Sequence, residues 1–440
     1  MSKKLFVLSV DAMVTEDVDA IREMPNFKQY FAGGSEFKGG MRTIYPSVTY
    51  PIHVSITTGC YAGKHGVTSN FAFTTSNKDD NWIFFSDAIQ VEDIFAVAKR
   101  AGLSTAAVGW PVTGCNPNID YVIDEYWMPL PGDTLESSFR RAGSNDQVIE
   151  ILKSHTDLLG EGWEKGGKKH FMQWPKIDDF WVACTCDILR KYKTDVTFLH
   201  TGAFDGCRHH HGVFSSYLNQ CRTDLDRYIG QIGNTLEEMG VLEETNLVMV
   251  SDHGQRDINR AINLNVKLAD AGLIDVDGDG HVTDWRAYCF SNAMSSLVYV
   301  KDPSDKELVT RVRDELKALQ DEGVFGIGRI YTAEEAHEEE QLFGDFSFVI
   351  ESDGYTSFGD SAVRPLVQNF DASDYRFGRA THGYMPDYGP QPVFVAKGPD
   401  IKEGLVLNHG RVVDEAPTFA ALLGLDMPQA DGKPIKEILR

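Results

Sequence analysis

An α/β protein with a largely parallel sheet, helices on both faces and a smaller inserted α/β cap is the fold that this 440-residue chain predicts. Three observations carry that expectation. Apolar β-branched runs alternate with helical patterns from the first residues onward, as in parallel strands joined by helices. Three of those runs end at, or shortly before, an aspartate. Between 259 and 370 the alternation gives way to turns, charge runs and an amphipathic helix.

LFVLSV (5–10) reads as the first strand and meets Asp11 at once. VEDIFAVAKRAGLSTAAVGW (91–110) reads as helix, glycine stop and strand. DDFWVACTCDILRKY (178–192) is a helix feeding the strand DVTFLHT (195–201), with Asp205 soon after. A helix over 214–239 leads to the strand TNLVMVSD (245–252), which ends on Asp252. PVFVAKG (392–398) is a late strand, and APTFAALLGL (416–425) a short helix stopped by Gly424. Ligands of open parallel sheets gather beyond the carboxyl ends of the strands. Aspartate is otherwise depleted there, so the placement of Asp11, Asp205 and Asp252 points to a site. The core is expected over 1–258 and 371–440 and the cap over 259–370, where DKELVTRVRDELKALQDEG (305–323) is an amphipathic helix.

The composition, 42% hydrophobic and 24% charged, is that of a globular chain with enough apolar surface for a sizeable core. A net charge of −23 argues against nucleic acid or an anionic membrane as partner. A small phosphate ester, nucleotide or phosphonate remains compatible with it if local cations offset the charge. The seven cysteines are scattered, and Cys184 and Cys186 sit on one helix with side chains pointing apart, so reduced thiols are expected. The first apolar run is too short for a signal peptide and no stretch reaches membrane-spanning length, which points to a cytoplasmic protein.

Three short motifs and three single residues carry chemistry. In SDHG (251–254) a strand end places a carboxylate, Asp252, beside an imidazole, His253. Asp205 and His209 are four apart, so on a helix they share a face and could share a metal. His382 and Asp11 are further candidates. Oxygen and nitrogen donors without thiolate suit Zn²⁺, or Mn²⁺ in a more oxygen-rich site. Thr49 precedes Tyr50 and Pro51, and proline favours a helix's first turn, where backbone N–H groups attract anions. A threonine at that point is also a good N-cap. Asn70 offers an amide donor nearby.

In their order along the chain these motifs resemble the alkaline phosphatase superfamily, and within it the type I phosphodiesterase/nucleotide pyrophosphatase family. The likeness rests on Asp11, Thr49-Tyr50-Pro51 with TG at 58–59, HG at 65–66, Asn70, Asp205-x3-His209-x-x-Gly212, SDHG and the HG at 382–383. It implies an alkaline-phosphatase-like three-layer sandwich and two divalent metal ions. One would be held by Asp11, Thr49, Asp252 and His253, the other by Asp205, His209 and His382. It also implies that Thr49 is the nucleophile and that Asn70 binds a phosphoryl oxygen. The chemistry agrees: two cations about 3.5–4 Å apart stabilise the attacking and leaving oxygens of an in-line displacement, and a hydroxyl needs a metal to become a competent nucleophile. The chain departs from the family at Ala12, where many relatives have glycine, at Ile52, where they often have asparagine, and in its additional histidines.

Other residues have plainer readings. His210 and His211 are bystanders, His53 and His65 packing partners, and Lys168, Lys169 and EEAHEEE solvated faces. Tyr50 and Phe71 flank the site and either line a substrate pocket or pack the core. DVDGDGHVTD (275–284) begins like a calcium loop, but Arg286 takes the place of its twelfth-position glutamate, so a hairpin is expected. The leading function is a two-metal hydrolase of phosphodiester or pyrophosphate bonds acting through a Thr49 intermediate. Hydrolysis of phosphonoacetate or of another phosphonate or phosphate ester by the same superfamily's chemistry, and metal binding without catalysis, are the alternatives.

Overall fold

Alternation along the strands sorts the central sheet's side chains into two cores. In the computed structural model, which describes residues 4–76 and 78–440, strand β1 (Lys4–Val10) sends Phe6, Leu8 and Val10 into one apolar cluster and Leu5 and Val7 into another. The remaining strands of this sheet are β2 (Ser35–Phe37), β3 (Thr105–Trp110), β4 (Tyr121–Asp124), β5 (Val196–Thr201), β6 (Thr245–Val250), β7 (Phe394–Lys397) and β8 (Val406–Leu407). Their spatial order is β8-β2-β7-β6-β1-β5-β3-β4. Strands β6, β1, β5, β3 and β4 run parallel, and β7 runs antiparallel to both its neighbours.

Helix α1 (Thr49–Thr58), α2 (Ile94–Arg100) and α6 (Glu415–Leu422) cover the face that carries Leu5 and Val7. The other face is covered by α3 (Lys176–Tyr192) and α5 (Leu218–Glu238). Sheet and two helical layers form the three-layer sandwich that the sequence implies. Each helix has a local reason to begin or end where it does. Asp93 caps α2 by accepting the Ala96 N–H (2.7 Å), and Gly59, at φ 69°, ends α1. The expected 214–239 helix starts later, at Leu218, because Gly212 at φ 94° closes the preceding helix α4 (Ala203–His211).

The 259–370 region is mixed α/β. Ala287–Ser291, Ser295–Val300, Phe348–Ser352 and Ile327–Thr332 form an antiparallel four-stranded sheet. Its two faces again separate by alternation: Val298 and Ile350 pack with Leu316 of the helix Lys306–Glu322, whereas Leu297 and Val349 join the core that carries Leu5. The calcium-loop-like segment is a hairpin of Ile274–Val276 with Val282–Trp285, and Asp277 Oδ1 accepts the N–H groups of Asp279 and His281 in its turn. EEAHEEE is not wholly solvated. It forms the helix Ala333–Glu340, and buried Glu340 pairs with Arg42 (2.7 Å). All seven cysteines are free thiols, Cys115 exposed. Among the described residues no helix is long and apolar enough to cross a membrane.

Candidate active site

The register of three adjacent strands brings the aspartates together. Ser9 of β1 lies opposite His200 of β5 and Val250 of β6, so the carboxyl ends of all three strands fall in one row. Asp11 follows β1 and Asp252 follows β6. After β5 the chain turns into α4, with Asp205 in its first turn and His209 one turn on. Asp178 from α3 fixes that start by accepting the N–H groups of Gly202 (2.9 Å) and Ala203 (3.0 Å).

Asp205, His209 and His382 offer ligand atoms all within 4.8 Å of one another, and so do Asp11, Asp205 and His253. Asp205 therefore stands between the two sets. His209 donates Nδ1–H to the Ala380 carbonyl (2.7 Å), which leaves Nε2 as a lone pair 3.1 Å from Asp205 Oδ1. Those two atoms are not aligned as a hydrogen bond. His253 Nε2 lies 3.2 Å from Asp252 Oδ2 and 3.6 Å from Asp11 Oδ1. Asp11 Oδ1, Asp252 Oδ2 and His209 Nε2 are buried with no hydrogen-bond partner, and His382 turns Nε2 toward Asp205 Oδ1 at 3.9 Å. Buried acceptors that face one another unsatisfied are costly without a shared cation, so this donor set fits divalent metal ions.

The charge balance points the same way. Burial, together with the carboxylates of Asp252, Asp205 and Glu125, pushes the Asp11 carboxyl well above its usual range. Asp205 is buried too, but His209, His382 and His253 outweigh that and hold it low. Burial first, and then neighbouring imidazoles, hold His382 well below its ordinary value, so its ring is neutral and able to ligate.

Thr49 is the first residue of α1, one position inside the cap residue Val48, so it does not serve as the N-cap. Its Oγ lies 3.2 Å from His253 Nε2. Asn70 Oδ1 accepts the Tyr50 N–H (2.9 Å), which orients the side chain against the first turn of α1. Both residues line one cleft with Asp11, Asp205 and His382. Ala12 holds a φ of 56°, where glycine is more at ease, and gives its N–H to Asp252 Oδ1 (3.1 Å).

Several expectations need amendment. His53 is more than a packing partner: its Nδ1 donates to the Thr49 carbonyl (2.9 Å) and lies 3.5 Å from Asp252 Oδ2. Its Nε2 meets His200 Nδ1 (3.0 Å), and His200 Nε2 in turn lies 3.4 Å from Asp11 Oδ2. Burial pushes both imidazoles down to about 3, so this buttress behind the aspartates is neutral. His65 does pack, against Ser55 Oγ (3.1 Å). His210 and His211 are exposed, the latter stacked on Tyr217 at 3.9 Å. Tyr50 lines the cleft. Phe71 lies outside its lining and packs against Trp82 and Tyr375. Lys168, expected on a solvated face, lines the cleft because its ammonium sits 4.3 Å from the Trp82 ring centroid.

Sequence reasoning missed Trp82, Glu125, Trp127, Trp174 and Tyr375 of the cleft wall, and Gln255, whose amide donates to Asp205 Oδ1 (2.5 Å). It also missed Arg208, fully buried beside His209. Gln255, two residues past His253, had a signal in its closeness to SDHG. The wall residues come from scattered loops and had none.

A row of acids and imidazoles at the carboxyl edge of a parallel sheet, with a hydroxyl at a helix start, is the site of an alkaline-phosphatase-like α/β fold. Residues 5–385 match the profile of the type I phosphodiesterase/nucleotide pyrophosphatase family, and the chain belongs to that family. Human ectonucleotide pyrophosphatase/phosphodiesterase family member 1 is 23% identical over 246 residues, 54% of this chain and 22% of its own length. The chain thus matches about a fifth of that relative. Rat family member 7 is 22% identical over 98% of this chain and 85% of its own. Murine ectonucleotide pyrophosphatase/phosphodiesterase 5 has the same fold, with a TM-score of 0.66, 18% identity and full coverage of both chains.

Proposed function

We propose that the protein is a two-metal phosphodiesterase or nucleotide pyrophosphatase that works through a covalent Thr49 intermediate. The observation that carries this reading is the Thr49 hydroxyl at the start of α1, 3.2 Å from His253 Nε2 and in one cleft with Asn70. Asp11, Thr49, Asp252 and His253 would hold one divalent ion and Asp205, His209 and His382 the other, zinc by donor type with manganese as the alternative. Such ions supply Lewis acidity toward the attacking and leaving oxygens.

The Thr49 oxygen bonds to phosphorus as the bond to the departing oxygen breaks: the hydroxyl proton passes to solvent, the departing group leaves with its oxygen, and the other ester group stays on the threonine-bound phosphoryl. The Asn70 amide, held by the Tyr50 N–H, points an N–H donor at a non-bridging phosphoryl oxygen, where negative charge builds. Water then cleaves the bond between phosphorus and the Thr49 oxygen, which regenerates the hydroxyl and releases a phosphomonoester. His53 and His200 stand behind the two strand-end aspartates, 3.5 Å from Asp252 and 3.4 Å from Asp11. A nucleotide is the favoured substrate class: murine ectonucleotide pyrophosphatase/phosphodiesterase 5, inactive with one threonine replaced by alanine, is described in complex with AMP.

The test is a substrate panel, run with metal content measured on the same sample, that compares nitrophenyl phosphodiesters, dinucleoside polyphosphates and phosphonoacetate. Turnover of the first two with two equivalents of metal supports the proposal. Turnover of phosphonoacetate alone would replace it with the phosphonate reading, and metal-free protein as purified would favour a role other than catalysis.

A further inference from the structure

Lys168 places a positive charge in the cleft with no carboxylate in salt-bridge or hydrogen-bond contact among the described residues. It opens the short helical turn Lys168–Phe171, directly after Gly166 and Gly167, which take φ values of 66° and 75°. Its ammonium is held over two rings, 4.3 Å from the Trp82 centroid and 5.3 Å from that of Trp127. Among the described residues it has no ion-pair or hydrogen-bond partner. A surface lysine normally extends its ammonium into water, and the adjacent Lys169 is exposed in that way. Lys168 instead shares the cleft with Thr49, Asn70 and Asp205. Its charge reaches the other groups there: burial pushes the Glu125 carboxyl up to about 7, and Lys168 works against that rise.

The acids around this cleft would repel a second anionic group on a substrate. Two metal ions held by the residues named above would offset the charge at the phosphoryl group under attack, and a group beyond it needs a cation of its own. Lys168 lines that cleft with its ammonium in direct contact with rings and no carboxylate. We propose that Lys168 is a specificity-determining residue, which binds a second anion on the substrate beside the phosphoryl group that Thr49 attacks. That anion is a further phosphate, as in a pyrophosphate, or a carboxylate. The proposal rests on the phosphodiesterase reading above for its reacting group.

The test compares wild type, Lys168→Met and Lys168→Arg, each loaded with metal, on bis(4-nitrophenyl) phosphate, ATP and phosphonoacetate. Methionine keeps the apolar stem against the tryptophans and removes only the charge. Lys168→Met is expected to lose about tenfold or more in kcat/KM on the anion-bearing substrate that wild type hydrolyses, the worth of one charge-assisted hydrogen bond. It should stay within about threefold on bis(4-nitrophenyl) phosphate, and Lys168→Arg should recover most of the loss. An equal loss on every substrate, or none on the anion-bearing ones, would overturn the proposal.

Calorimetry with ADP and AMP decides the matter even if wild type turns over none of the three. A Lys168→Met protein that binds ADP about tenfold more weakly and AMP as before supports the assignment. Unchanged ADP affinity, or equal weakening of both, refutes it. Absence of all turnover in wild type would count against the phosphodiesterase reading alone.

Discussion

Arg208 is the buried link between the two halves of the candidate metal site, and replacing it by methionine has a cost that can be worked from its contacts. Its side chain is fully buried on α4, next to His209. One nitrogen meets Asp17 Oδ2 at 2.7 Å, and another donates to the carbonyl of Ala12, the residue after Asp11, at 2.9 Å. Breaking a buried pair by removing one partner costs about 3–5 kcal/mol. Arg222 still reaches Asp17 Oδ1 (2.9 Å), and Val14 N–H still donates to Oδ2 (3.0 Å), so the lower end applies. The orphaned Ala12 carbonyl adds about 1 kcal/mol. Arg208→Met should therefore lower stability by about 4 kcal/mol in urea denaturation followed by tryptophan fluorescence. Asp17→Asn keeps an acceptor for Val14 and removes the charge. The double variant should cost at least about 1.5 kcal/mol less than the sum of the singles. A loss below about 1 kcal/mol for Arg208→Met, or strict additivity, would refute the reasoning.

Two further outcomes follow from the site and its surroundings. His209→Ala removes a buried ring between Asp205 and the Ala380 carbonyl, so it should lower bound metal and cut kcat/KM by about a hundredfold or more. His211→Ala, which alters only an exposed ring on Tyr217, should leave both nearly unchanged, and equal losses would move the ligand assignment. Glu351 bears on pH. Burial pushes its carboxyl up to about 8, although Met385 N–H (3.0 Å) and Tyr45 O–H (2.8 Å) both donate to it. The folded state thus keeps a proton that the unfolded chain releases above about 4.3, and this contribution to stability is lost as pH rises toward 8. Glu351→Gln should reduce the fall in Tm between pH 5 and 8.5, and an undiminished fall would show that another group is responsible.

The sheet and its ligand row were legible because local patterns encode them. Hydrophobic runs fix the strands, and Asp11, Asp252 and the Asp205–His209 pair follow at spacings that a strand end or one helical turn imposes. Strand direction was less legible, since nothing in PVFVAKG distinguishes an antiparallel β7 from a parallel one. The cleft wall was not legible at all: Trp82, Glu125, Trp127, Lys168 and Tyr375 come from loops with no periodicity, and only the folded chain brings them together. Arg208 was hidden for a related reason. Within CRHHHG it reads as one more polar residue of a helix end, and its partner Asp17 lies 191 residues earlier.

The central claim is that Thr49 carries the phosphoryl group during turnover. Acid-quenching the enzyme in mid-turnover with a nitrophenyl phosphodiester, then mapping phosphorylated peptides by mass spectrometry, tests it directly. Wild type is expected to carry on Thr49 a labile phosphoryl adduct that retains the substrate's remaining ester group, with adduct and turnover both lost in Thr49→Ala. Sustained turnover by Thr49→Ala, or an adduct mapped to any other residue, would contradict it.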